Sequence, residues 1–371
     1  MTYEIAKDRL TLWIPYVEPR QVLWYGSTPN AAKAMQLYDV DDVRYTGDLA
    51  KFFHLNLGPE TTLFTLHKGQ TPRYMYVDDH AGMGSSGEGS FSSQSKPGVI
   101  DCVSLRPAMD RARVIKDEYE IALIRKANDI SSAAHRQVAR QLLRLRNEQE
   151  IEAMIVASCT ARGAHSQAYH IIAGAGVNAS TLHYDANDQP LKGKQLVVVD
   201  AGCEYNCYAS DITRTLPVSG SFTPEGRAIY AIVERMQEEC IAAVAPGRKF
   251  VELHLHAAKV AARGLLALGI LRGSSRAEVE ASGIASAFFP HGLGHHVGLE
   301  VHDVSGDQRL LYADKSSRLE GGKRETITPA ELAELRREDK SDAVQGSGVV
   351  SAPVDRQRLE PGMIVTVEPG M

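Results

Sequence analysis

The sequence predicts an α+β protein in two parts, on three observations. Strand-like and helical runs alternate through the first hundred residues. Several long runs with helical apolar spacing follow from about Arg111. Between two pairs of them, Gln195 to Gly220 is β-rich on both sides of a turn-forming centre and reads as a hairpin. A chain of 371 residues exceeds one ordinary core, so one large domain or two is expected.

In the first part, "RLTLWIP" reads as a strand that proline ends. "NAAKAMQLYDV" reads as a short helix, and "TLFTLH" and "RYMYVDD" as further strands. The Gly/Ser-rich stretch from Gly82 to Gly98 cannot build a core and reads as a loop. It lacks the lysine and Ser/Thr spacing of a phosphate-binding loop.

The second part opens on a helix from Asp117, with Ile121, Leu123, Ile124, Ala127, Ile130, Ala133 and Ala134 at helical spacing. Asp117 and Glu120 have the spacing of a capping box. "EQEIEAMIVASCTARGA" is a second helix, ending at Gly163. "IYAIVERMQEECIAAVAPGRK" and "FVELHLHAAKVAARGLLALGI" are two more. Residues 305–358 are charged and poor in apolar periodicity, and read as a solvated insertion with one short helix starting at Thr328.

Hydrophobic residues make up 43% and charged residues 23%, which argues against global disorder. The net charge of -5, without a long basic run, points away from nucleic acid and anionic membranes. No run approaches the roughly 20 apolar residues a membrane helix needs. The first residues lack a signal-peptide layout, so a cytoplasmic location is expected. Five scattered cysteines fit a reducing interior, with Cys203 and Cys207 as buried thiols rather than zinc ligands.

The chemistry concentrates in three stretches. "HGLGHHVGLEVHD", His291 to Asp303, carries four histidines and two acids around three glycines. His291 and His295 have the spacing of a zincin helix, but Gly292 stands where that signature needs its general base. The glycines indicate an extended strand and turn, in which His291 and His295 share a face. "VVVDAG" puts Asp200 at the end of an apolar strand, and "ASDITRT" puts Asp211 in the other arm of the hairpin. "GMIVTVEPG" puts Glu368 directly after a third apolar strand. Capping or a salt bridge could explain each acid alone. Three buried strand-end acids with a glycine-flanked histidine fit a metal site better, because an unpaired carboxylate in a sheet is costly. Carboxylates with one imidazole suit Mn2+, Co2+ or Zn2+.

In this order, "DAGCEYNCYASDITRT", "HGLGHHVGLEVHD" and "VTVEPG" resemble the pita-bread metallopeptidases, and within them the Xaa-Pro aminopeptidases and prolidases. The resemblance covers roughly Arg111 to Met371, with a weaker match before it. Methionine aminopeptidases lack the N-terminal lobe and the "GLEVHD" continuation, and creatinases lack the full ligand set. The resemblance implies a pita-bread (creatinase/aminopeptidase-like) catalytic domain over 111–371, preceded by a smaller α/β domain over 1–110. It places two metals on Asp200, Asp211, His295 and Glu368, with Mn2+ expected and Co2+ or Zn2+ as alternatives. It places His183, His291 and His302 on the substrate, and gives His291 and Glu368 catalytic roles. His296 matches no functional position. A metal-bound hydroxide shared by two cations would then hydrolyse the bond between an N-terminal residue and a penultimate proline, with prolidase activity as runner-up. The implied partners are peptides with proline at position 2, with a homodimer left open.

The family also supplies a bridging Glu and a pocket Arg from a strand beyond the position of Met371. This reading therefore expects a catalytic domain short of that strand and an incomplete N-terminal lobe. An inactive relative that binds peptide or acts as a scaffold is the alternative expectation.

Overall fold

The computed structural model describes residues 1–71, 98–273, 275–304, 310–311 and 356–371. "RYMYVDD", the Gly/Ser-rich stretch up to residue 97 and the helix expected from Thr328 lie outside the described residues. The chain divides into two compact units, Met1–Pro107 and Ala108–Met371.

The first unit holds β1 (Thr2–Glu4), β2 (Arg9–Ile14), α1 (Pro19–Tyr25), α2 (Ala31–Leu37), β3 (Asp42–Tyr45), α3 (Leu49–Asn56), β4 (Thr62–Phe64) and β5 (Val99–Asp101). β2 pairs antiparallel with β1 and parallel with β3, and β4 pairs parallel with β5. Asn30 caps α2 by accepting from the Lys33 amide. Phe52 and Phe53 of α3 pack with Trp13, Leu49, Leu57 and Leu63 into a small core. The sequence reading found β2, α2 and β4 but missed α3.

The second unit begins within α4 (Leu105–Val114), followed by α5 (Glu118–Gln141) and α6 (Glu148–Thr160). The α5 capping box forms as expected: Asp117 accepts from the Glu120 amide, and the Glu120 carboxylate accepts from the Asp117 amide. Then come β6 (Ser166–Gln167), β7 (Ile172–Ala175), β8 (Leu196–Asp200), β9 (Cys203–Tyr205), β10 (Tyr208–Ala209) and β11 (Thr213–Pro217). Helices α7 (Pro224–Ala243), α8 (Phe250–Ala267) and α9 (Arg276–Ala281) complete the order. α7 starts earlier than the apolar spacing indicated, because Thr223 caps it and Pro224 occupies its first turn.

The expected hairpin is two nested pairs in two different sheets. The outer arms, β8 and β11, pair antiparallel in the sheet β11-β8-β7, while β9 and β10 pair in the sheet β10-β9-β6. One core cluster joins α5, α6, β7 and β8 through residues such as Ile130, Val138, Ile151, Ile155, Val197 and Val199. A second lies on α7 and α8 around Met236, Phe250, Leu253 and Leu265, with Phe289 and Leu293. Each such buried side chain contributes about 1.5–3 kcal/mol. No helix among the described residues is long and apolar enough to cross a membrane.

Candidate metal centre

Asp200 is the last residue of β8, paired with Thr213 of β11. Asp211 lies two residues before β11, outside any strand, which corrects its expected place in a hairpin arm. The chain leaves its sheet after Ala209, and a backbone bond from the Ala201 amide to the Ile212 carbonyl closes the outer pair over the inner one. A Cβ on Gly202 would collide with the Ser210 carbonyl, so the close crossing requires glycine there.

α5 clamps this crossing with polar residues on its buried face. Ser131 Oγ accepts from the Cys203 amide at 2.9 Å and lies 2.8 Å from Ser210 Oγ. His135 Nε2 lies 2.9 Å from the Ala201 carbonyl, so that nitrogen carries the proton. Burial lowers the pKa of this histidine and keeps the ring neutral. Cys203 is buried as expected, whereas Cys207, in the β9–β10 turn with φ of 70°, is exposed.

The histidine stretch and the C-terminal segment form no named strand, contrary to expectation. They are joined by one isolated bridge, His296 to Val365, and by bonds from the Val297, Thr366 and Glu368 amides to the Ile364, His295 and Leu293 carbonyls. Glycines at 292, 294 and 298 interrupt the pairing that a regular strand needs. A Cβ on Gly294 would collide with the Thr366 carbonyl.

These arms bring ligand atoms of Asp211, His295 and Glu368 within 4.8 Å of one another. His295 Nδ1 lies 2.9 Å from the His296 carbonyl and so carries its proton there. A neutral ring would turn its Nε2 lone pair toward Asp211 Oδ2 at 3.3 Å and Glu368 Oε1 at 3.0 Å. That nitrogen is buried and meets neither oxygen in hydrogen-bond geometry. A lone pair facing two carboxylates is repulsive unless a proton or a cation lies between them. Burial alone would lower the His295 pKa, but Asp211 and Glu368 outweigh it and hold the ring up to about 10. The donor set fits a divalent cation: two carboxylates and one imidazole whose Nε2 has no hydrogen-bond partner.

Asp200 joins the group through Tyr169, whose hydroxyl lies 2.5 Å from Asp200 Oδ1 and 3.0 Å from Asp211 Oδ1. Burial, then the Asp211 charge, raises Asp200 to about 6. Burial and the same two acids push Tyr169 well above the ordinary tyrosine value, so it stays a donor. Thr366 Oγ1 accepts from the His295 amide at 3.0 Å and donates to Glu368 Oε1 at 2.7 Å. Gln237 of α7 donates to the Val367 carbonyl. The sequence reading missed Tyr169, Thr366 and Gln237, since a single tyrosine, threonine or glutamine carries no spacing signal.

Of the substrate candidates, His302 touches this group directly. The His302 ring centroid lies 4.1 Å from that of His295, at an interplanar angle of 63°. His291 packs edge-on against Phe289, and its Nδ1 lies 2.8 Å from the Gly292 carbonyl. Its Nε2 faces Gly370. His183 is exposed in the turn after the short helix Gly176–Ser180. Its neighbour Tyr184 donates to Glu148, a buried carboxylate that also accepts from the Ala175 and Gln189 amides. His296 is a packed histidine, buried with Nε2 at 2.6 Å from Gln357 Oε1.

Residues 122–371 match the model of Metallopeptidase family M24, and residues 1–64 match that of the Aminopeptidase P N-terminal domain. Over its whole length the chain is 53% identical to a probable Xaa-Pro aminopeptidase of Colletotrichum graminicola and 55% identical to one of Metarhizium acridum. It spans 68% and 69% of those relatives. Among solved structures, proline aminopeptidase P II from Yersinia pestis matches with a TM-score of 0.73 and 28% identity, covering 97% of this chain and 72% of that one. Zinc-substituted Escherichia coli aminopeptidase P in complex with product matches at 0.71 and 27%, covering 96% and 70%. The pita-bread fold with an aminopeptidase-type N-terminal domain, expected from the motifs, is thereby borne out. By its family match and by relatives more than half identical along its length, the chain belongs to the M24 metallopeptidases, as an aminopeptidase.

Proposed function

We propose that the chain hydrolyses the bond between an N-terminal residue and a penultimate proline, using two divalent cations held by Asp200, Asp211, His295 and Glu368. The single observation that carries this reading is the convergence of Asp211, His295 and Glu368 around an orphaned imidazole nitrogen. The names of the curated relatives supply the substrate class. Mn2+ is the cation proposed first, since carboxylates dominate the donor set; Co2+ and Zn2+ are alternatives. Residues 111–371 are read as the catalytic domain and 1–110 as a separate α/β lobe.

Bound cations would lower the pKa of a water and polarise the scissile carbonyl. The chain's own residues do the rest. Glu368, its Oε1 held by the Thr366 hydroxyl, takes up and returns the proton. His291, its Nδ1 held on the Gly292 carbonyl, presents Nε2 to the developing oxyanion. His183 and His302 line the substrate side. A proline nitrogen in the scissile amide has no N–H, so selection rests on a pocket shaped to the ring.

The test is release of the N-terminal residue from Xaa-Pro peptides, beside metal content by mass spectrometry. Turnover is expected to need Mn2+ and to stop with chelator; full turnover in excess EDTA would overturn the reading. His295→Ala should lose metal. His291→Ala should keep metal and lose roughly 10²-fold in turnover. Equal metal loss in both would overturn the division of roles.

A further inference from the structure

The acid that follows His302 sits in a buried charge cluster that the proposed chemistry leaves unused. Asp303 Oδ2 lies 2.8 Å from Lys116 Nζ, and both side chains are 1% exposed. Asp303 Oδ1 lies 2.5 Å from Arg113 Nη2, which also reaches Glu300 Oε2 at 3.2 Å. Each carboxylate oxygen of Asp303 is thus held by its own cation, and Glu300 balances the second positive charge. Backbone bonds tie the same residues to both sides of the candidate centre. The Asp303 amide donates to the His296 carbonyl, and the Lys116 amide donates to the Gly362 carbonyl ahead of the Glu368 segment. A Cβ on Gly298 would collide with the Asp303 carboxylate.

A buried ion pair is a poor stabilising device. Apolar replacements of similar volume are often as stable or more so, because desolvation offsets the Coulomb attraction. What such a cluster does well is fix one geometry. Here the residue fixed is the immediate neighbour of His302, whose ring rests on that of His295. We infer that Asp303, gripped by Lys116 and Arg113, is a positioning residue that sets the His302 ring against His295 and so shapes the substrate wall. This inference rests on the proposed substrate role of His302. It adds Asp303, Lys116 and Arg113, for which a role in packing alone is the competing account.

The two accounts part in a double variant. Lys116→Met alone leaves the buried Asp303 Oδ2 without its cation and should lower Tm. Lys116→Met with Asp303→Leu removes both charges and should recover Tm. If the cluster positions His302, the double variant should still lose about 10–100-fold in kcat/KM, carried by KM, with metal stoichiometry unchanged. Recovered Tm with wild-type KM would overturn the inference, and so would equal loss of metal and KM. Should the double variant fail to fold, Asp303→Asn keeps the shape and carries the same KM and metal readouts. An NMR readout separates this inference from the proposed function. In 15N-histidine-labelled protein, the His302 signals should carry the ring-current shift of His295 in the wild type and lose it in the variants. If wild type releases no N-terminal residue, the proposed function fails while this spectrum still judges the positioning; unchanged His302 signals overturn it.

Discussion

The two arms that supply the candidate ligands are built differently. The β8–β11 arm is a regular antiparallel pair in continuous register from Leu196–Pro217 to Asp200–Thr213, with β8 in the core formed by α5 and α6. The arm that brings His295 to Glu368 is two extended segments with one isolated bridge, resting on α7 and α8. The first holds its acids by sheet register and by a helix that clamps the crossing. The second holds its ligands by individual bonds, Thr366 above all. One arm is rigid through repetition, the other through a few side chains that each matter more.

Both arms contain a glycine whose Cβ would strike the opposite backbone, and these test the contrast most severely. Gly202→Ala and Gly294→Ala should each destabilise by roughly 1–3 kcal/mol or more, as overpacking does. Gly202→Ala should cost more, because Ser210 is held by the paired strands and by Ser131 and cannot retreat. Thr366 belongs to a segment held by a single bridge and can shift. Urea unfolding of the two metal-free variants reads the order, and the reverse order would break the comparison.

A pH series sharpens it next. The metal-free native state keeps the His295 proton up to about 10, whereas an unfolded histidine releases it near 6.5. That contribution to stability is therefore complete below pH 6.5 and lost as pH rises through about 10. Asp200, raised to about 6, keeps a proton between roughly pH 4 and 6 that the unfolded chain has lost, so its share also declines as pH rises. A cation must displace the His295 proton, so apparent metal affinity should climb by roughly tenfold per pH unit across neutral pH. Calorimetry in two buffers of different ionisation enthalpy should find proton release on binding. Binding without release would remove His295 from the ligand set.

The smallest effects belong to the outer hydroxyls, and they should differ between the arms. Tyr169→Phe removes the donor that Asp200 and Asp211 share and should weaken metal affinity by roughly 10–100-fold. Thr366→Val should cost about tenfold, at the low end of that range, with Thr366→Ser restoring it. Titration with a metal-indicator dye ranks the three, and a silent Tyr169→Phe would show that the first arm needs no help in holding its acids.

The same contrast explains what the sequence made legible. Asp200 stood out because three β-branched residues precede it, and β8 ends on it. The α5 capping box was readable because its two acids lie three residues apart. Asp211 was misplaced because turns that fold one hairpin over another leave the same alternation as a continuous strand. The glycines of the histidine stretch were read as marks of close backbone approach, which holds at Gly294, but not as the interruptions that prevent a strand. Ser131 and His135 were passed over on α5 because an apolar template discards polar residues on a buried face. Arg113, Lys116 and Asp303 were invisible as a group, since their pairing joins positions nearly two hundred residues apart.

The inner hairpin carries its own clock. Cys203 and Cys207 lie four positions apart on it, one thiol sealed beneath α5 and the other open at the turn. An alkylating reagent will modify Cys207 at the rate of a free thiol, while Cys203 must wait for the hairpin to lift from Ser131. The ratio of the two rates, read by mass spectrometry on one peptide, is the opening constant of the loop between Asp200 and Asp211. That constant can be followed without unfolding the protein and without supplying any metal. If a bound cation draws the two acids together, adding it should slow the Cys203 reaction and leave Cys207 unchanged.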